Sequence, residues 1–492
     1  MLESNTNDTI YHRMRFAARR GEVISVHRIA AFLVKERKEP LNLRLYANLI
    51  LSHVSAPAGS ALWVAAYLKE LREEGLEADS ALCHDVLKVL SVHPHFVLRN
   101  EVLDYMRSKW YTLSVDGHHD VIAGNLREGQ LEMALEMLSS LRNSGAEIKP
   151  WLYDMTLHML CDAGEFEQAM RVMQTRVSAT EQNISATIWW TLLDLASEAL
   201  HRECTNFVWK RRVIPGYLNP SSGICLNALK IAARHGDPEL ATDVFRVLGH
   251  RHAVFEHEHY ELLLAAYMKS GDLESALTVL CVMHDAGTPP DMGTARPIVF
   301  YLQADPARRE KAFKLMQSLK DERVVPPVAM NTLIESALWG KDLPKAIEYY
   351  KKFDEICEVG RDIDTYNTLF RGLRSGKDKA VAMFLVSEMV AFKIKPNTLT
   401  YDRLVLVCVR ERDFEDAFRY YFEMLAQGHK PRVGTVFALA KKALTTVDVR
   451  TPKLIEDLAE YGDDARKVAA TLQKRYEAAR AREGERIEED YE

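Results

Sequence analysis

The stretch 363-IDTYNTLFRGLRSGKDKAVAMFLVSEMVAFKIKPN-397 decides how the rest of this chain reads. Tyr366, Leu369, Phe370 and Leu373 fall at i, i+3, i+4 and i+7, one apolar stripe of a helix. Ser375-Gly376-Lys377 breaks that helix. Ala382, Val386 and Met389 then mark the inner face of a second helix. Pro396 is expected to stop it, as Pro290 and Pro431 do at the same place elsewhere. After Asn397 the chain resumes with TLTYDRL, the opening of the same pattern.

Working outward, Tyr401 lies 35 residues after Tyr366, Met330 lies 36 before it, and Tyr260 and Tyr153 fall on the same grid. Repeat starts are placed at 8, 43, 80, 115, 150, 186, 222, 257, 292, 327, 363 and 398, with a partial copy from 433. A second marker agrees with the first. The twentieth residue of a copy is alanine at Ala134, Ala169, Ala241, Ala276, Ala346, Ala382 and Ala417. Alanine there lets the second helix approach the first closely. The turns DAGEF, RHGDPEL, KSGDLES and WGKDLPK each carry glycine where a first helix must end. One hairpin cannot bury its own apolar face, but stacked neighbours can. The expectation is therefore an all-α, right-handed superhelical solenoid of about twelve helix-turn-helix copies over 8–432. Residues 1–7 are an N-terminal extension, and 433–492 a partial repeat, capping helices and a charged tail.

The bulk numbers fit. The chain has 492 residues, 47% of them hydrophobic, which is ample for a core. Length alone would suggest about three globular domains, with a repeat array as the competing reading. The low counts of glycine (23) and proline (17) suit helices. A formal charge of -6 from 64 basic and 70 acidic residues excludes a globally basic nucleic-acid binder, so any such binding needs a local basic face. None of the seven cysteines forms a CxxC pair, so they read as buried, reduced thiols. No apolar run approaches the roughly 18 residues that span a bilayer. The N-terminus carries Glu3 and Asp8, which makes a poor secretory signal and a weak transit peptide.

The pattern TYNTLFRGL, a glycine-containing turn, a small residue, then SEM and KIKPN resembles the pentatricopeptide repeat. NTLIESALWGKDLPKAIEYY and HYELLLAAYMKSGDLESALTVL are further good copies. The resemblance covers roughly residues 8–445 and is strongest from 257 onward. Tetratricopeptide repeats, the nearest rival, prefer a Trp-Leu-Gly signature that is absent here. The resemblance implies a single-stranded RNA binder reading about one base per repeat. It also implies roles for particular positions. The fifth and last residues of a copy would read the base edge, the second would pack beside the base, and a basic thirteenth would meet phosphate.

Carried over residue by residue, Asn331 with Asp362 matches a uridine-preferring pair and Asn367 with Asn397 a pyrimidine pair. Asn367 and Asn397 thus read as base contacts and not as turn chemistry. Glu261 with Asp291 keeps a suitable last residue, and Asp402 with Arg432 departs further. So do His84 with Ser114, His119 with Lys149 and Trp190 with Ser221. Val328 and Leu399 suit the base-packing role, whereas Asp364 and Gly293 do not. The thirteenth residue is basic at Arg20, Arg127, Arg234, Lys269 and Arg410, and their shared register puts them on one face.

Other constellations are weaker. HRHAVFEHEH at 250–259 places four histidines close together, but no cysteine joins them and the stretch reads as a polar loop leading into a helix. His-x-Glu with Cys-x-x-Cys, the zinc deaminase set that ends some plant members of the family, is absent, and so is a Gly-rich phosphate loop. No metal, cofactor or catalytic residue is therefore expected. Asp463 and Asp464 read as a helix start. The resemblance, with a likeness to fungal members, places the chain in the mitochondrial matrix, without a transmembrane segment. Its partner there would be single-stranded mRNA or rRNA, in RNA stability, processing, splicing or translation, possible small-subunit rRNA maturation included. The alternative from a different class is a protein-interaction scaffold or a mitoribosome-associated assembly component, with mitoribosomal or RNA-processing proteins as partners.

Overall fold

A computed structural model describes residues 6–180, 184–373 and 379–489. The Ser375-Gly376-Lys377 turn, the first five residues and the last three lie outside the described residues. Among the described residues the regular structure is helical throughout, with no strand. The protein is an α-solenoid of helical hairpins and divides into two compact units, Met1–Ile231 and Ala232–Glu492.

In the first unit the first helices of successive hairpins are Asn7–Arg19, Leu43–Ser52, Ser80–Val92, Val115–Arg127, Pro150–Asp162 and Ala186–Glu198, each packed on the next. In the second unit the same role falls to His257–Ser270, Arg296–Gln303, Pro327–Trp339, Ile363–Gly372, Thr398–Arg410 and Val433–Ala443. The copy placed at 292 differs, because its first helix begins only at Arg296, after a turn through Asp291–Ala295. A 27-residue helix, Asp463–Glu489, closes the described chain, and Asp463 and Asp464 form its first turn.

The apolar stripe lies where its spacing requires. Tyr366, Leu369, Phe370 and Leu373 are all buried. The seven alanines at the twentieth position are buried too, none more than 1% exposed. Copy 80 breaks this rule and compensates. It carries Arg99 there, 2% exposed and paired with Glu128 at 2.6 Å. Gly124 of the next copy makes the room, since a Cβ at Gly124 would lie 2.9 Å from the Arg99 guanidinium.

Two expectations about helix ends need correction. Pro396, Pro290 and Pro431 do not stop the second helices, which end earlier, at Ala391, Asp285 and Ala426. A left-handed residue ends each one, Lys393 (φ 58°), Gly287 (φ 75°) or Gly428 (φ 77°). The proline then leads the chain, extended, into the next first helix. Gly340 in WGKDLPK likewise does not take the left-handed conformation; Lys341 does, at φ 59°. In this copy the turn takes a positive φ at the fifteenth residue whatever the side chain, as Leu200 and Arg412 also show in theirs.

All seven cysteines are free and buried. Burial pushes the thiols of Cys83, Cys161 and Cys281 up to about 11, and those of Cys204 and Cys408 up to about 12.

Candidate nucleic-acid interface

Residues two, five, six, nine and thirteen of a first helix share one helical face. Except at Asp291, the last residue of a copy sits beside that face because it is the N-cap of the following first helix. Asn42, Asp79, Ser114, Ser185, Asp362 and Asn397 all cap in this way with their side chains. Asn397 accepts from the Thr400 amide at 3.0 Å and Asp362 from the Thr365 amide at 2.8 Å. The distinction between base contact and turn chemistry at Asn397 is therefore corrected: Asn397 is a helix cap in a capping box.

The fold brings the fifth and last residues of a copy together. Asn331 Nδ2 donates to Asp362 Oδ1 at 3.2 Å, and Asn367 Nδ2 to Asn397 Oδ1 at 3.4 Å. Asp402 accepts from the backbone amide of Arg432 at 3.2 Å. Glu261 and Asp291 meet through Thr294, whose hydroxyl lies 3.3 Å from Glu261 Oε1 and 3.0 Å from Asp291 Oδ1. The amide of Thr294 also bonds Asp291 and holds its carboxyl below the usual range. Copies that depart from the family pattern pair in the same way. His84 Nε2 accepts from the Ser114 amide at 3.0 Å and His119 Nε2 from the Lys149 amide at 3.3 Å.

Exposure separates these groups. Asn331, Asn367 and Asp402 are each no more than 2% exposed, and Asn331 Oδ1 is buried without a hydrogen-bond partner in the protein. Val328 is buried and Leu399 half-buried. Exposed aromatic side chains occupy the same face at Phe16, Trp151, Trp190 and Phe300, all more than 40% exposed. Trp151 lies beside the His119 ring, centroids 6.1 Å apart. Of these aromatics only Trp190 was legible, as a departure from the family pattern, because the stripe periodicity does not tell an exposed ring from a buried one.

The thirteenth-position cations are exposed residues at the ends of first helices. Two of them are tied to the fold. The Arg127 guanidinium donates to the Ser91 carbonyl, and Lys269 Nζ to the Arg234 carbonyl, each on the last turn of the preceding first helix. Desolvation lowers the pKa of Arg127. Arg20 pairs with Glu22 at 3.1 Å. Arg234 and Arg410 are exposed.

The histidine-rich stretch is spent on helix entry. His259 takes part in a capping box with Glu256, and His257 Nε2 lies 2.6 Å from the Thr294 hydroxyl. Among the described residues no group of three or more His, Cys, Asp or Glu side chains is placed to hold a metal ion. No helix among them is long and apolar enough to cross a membrane.

Comparison with known proteins agrees with this architecture. Residues 222–353 match a family model described as pentatricopeptide repeat-containing protein. Residues 355–433 match one described as pentatricopeptide repeat domain. The chain is 21% identical over 463 residues to the mitochondrial pentatricopeptide repeat-containing protein At1g26460 of Arabidopsis thaliana, covering 87% of this chain and 72% of that relative. It is 27% identical over 161 residues to the mitochondrial 15S rRNA processing factor CCM1 of Meyerozyma guilliermondii, covering 32% of this chain and 25% of that relative. Among solved structures it is similar to PPR10 in complex with an 18-nt psaJ RNA element, at 17% identity and TM-score 0.34, covering 97% of this chain and 73% of that one.

Proposed function

Because this chain belongs to the pentatricopeptide repeat proteins, we propose that it is a non-enzymatic binder of single-stranded RNA, which it holds along its first-helix face. The observation that carries the reading is the contact between fifth and last residues. Recurring in five copies, it sets a hydrogen-bonding pair beside the face where an extended strand would lie. The exposed rings of Trp151, Trp190 and Phe300 support it, since such rings stack bases without needing their identity. Sequence would be read mainly in the second unit, at Asn331–Asp362 and Asn367–Asn397.

The mitochondrial names of the relatives favour the mitochondrial matrix, and the rRNA processing relative favours an rRNA or mRNA target in processing, stability or translation. The action is steric: an RNA held extended is shielded from nucleases and kept from misfolding. Crosslinking the full chain to RNA in mitochondria and sequencing the bound fragments tests this. One short, pyrimidine-containing site is expected. Diffuse rRNA contacts with co-purifying ribosomal protein would favour the second reading, a mitoribosome-associated scaffold. That reading draws support from the chain's net charge of -6 and from the departures at Trp190 and His119.

A further inference from the structure

Positions six and nine share the face of positions two and five, and in the second unit they carry three guanidiniums together with the last residue of a copy. Arg371, ninth in its copy, pairs with Glu335 of the preceding copy. Arg403, sixth in the next, donates to the backbone carbonyl of Asn367. Arg432, the last residue of that copy, sets its Nε 3.4 Å from Asp402 Oδ2 and keeps its side chain 65% exposed. Arg371 is one-third exposed. The three share one field. Desolvation, then the charges of Arg371 and Arg432, pull the Arg403 guanidinium down to about 10, while Glu335 and Asp364 act in the opposite sense.

We propose that Arg371, Arg403 and Arg432 form a ladder for successive backbone phosphates of a single-stranded RNA, with Glu335 as the built-in competitor for Arg371. The inference rests on the RNA-binding reading above and assigns phosphate contact to residues other than the thirteenth-position cations. One feature favours RNA over an acidic protein, and two more suit the binding of an anion in general. The cations advance along the stack beside Asn367–Asn397, so phosphate and base would be met in the same register. Guanidinium presents paired donors that match phosphate oxygens. Glu335 has a second donor, Trp339 Nε1 at 3.2 Å, which keeps its carboxylate partnered when Arg371 turns to a phosphate.

The test is a salt titration of binding by the full chain to an oligouridylate and an oligoadenylate. Losing a phosphate contact to a single strand removes about 0.7 from the slope of log affinity against log salt. Arg371→Gln with Arg432→Gln is therefore expected to weaken both oligomers alike and to flatten the slope by about 1.4. Glu335→Gln, which removes no cation, is expected to tighten both. Retained helix content and melting temperature separate a binding loss from unfolding, and Arg403→Lys, which keeps donor and charge, is expected to keep the slope. If the wild-type chain binds and the double variant matches it in affinity and slope, the ladder is wrong while the RNA reading stands. If the wild-type chain binds neither oligomer at any salt, the RNA reading falls and takes the ladder with it.

Discussion

At the scale of single residues, one side chain can serve the fold and the ligand together. Asp362 and Asn397 are short acceptors because a helix N-terminus needs one. That demand also explains Ser114 and Ser185, where no base-reading pair is legible. The sequence therefore could not tell a cap from a reader at the last position; only the fold shows that Asp362 and Asn397 cap a helix and bond their fifth-residue partners at once. Replacing Asn331 and Asn367 together by alanine is expected to cost about 1–3 kcal/mol of discrimination per base read, measured by competition between oligonucleotides. Unchanged preference would remove both from the base-reading set. Gly271 is left-handed at φ 84° with open space where a Cβ would go, so Gly271→Ala meets a conformational cost alone. A loss of about 1–2 kcal/mol in urea unfolding is expected.

At the scale of the helical hairpin, close approach at the twentieth residue holds the two helices together. Ala276 is fully buried, so Ala276→Leu overpacks that contact and is expected to cost about 1–3 kcal/mol, read in urea unfolding. Acidity acts on hairpins of the first unit in two opposing ways. The His53 ring is buried, neither nitrogen has a hydrogen-bond partner, and burial, with His27 and His93 adding, takes its pKa down to about 4. The unfolded chain then takes up the proton first, so stability falls as pH drops from about 6.5 to about 4. The Asp120 carboxyl is pushed up to about 6, mainly by desolvation. Its unfolded form loses the proton first, so stability falls as pH rises from about 4 to about 6. The two offset each other over one window. Asp120→Asn removes the second, so the variant should lose stability on acidification more steeply than the wild type, as followed by melting temperature against pH.

At the scale of the whole molecule, each unit is a stack in which hairpins bury one another's apolar faces. The seven buried thiols report on that packing. A thiolate is the reactive form, and the raised pKa values suppress it. Native protein is expected to react with a thiol reagent only slowly, and all seven sites to become reactive in denaturant. Rapid labelling of Cys83, Cys204 or Cys408 in native buffer would contradict the packing described.

The period, the hairpins, the stripe Tyr366–Leu373 and the alanine register were determined by the sequence alone, because helical periodicity and close packing leave their mark in residue size and spacing. Three things were decided only in three dimensions. The left-handed residues at Lys341, Leu200 and Arg412 follow from the path of the turn, which overrides the preference for glycine. The Arg99–Gly124 exchange couples two copies through volume, which no single-copy pattern records. The cluster of Arg371, Arg403 and Arg432 joins side chains from successive copies, and stacking alone makes them neighbours.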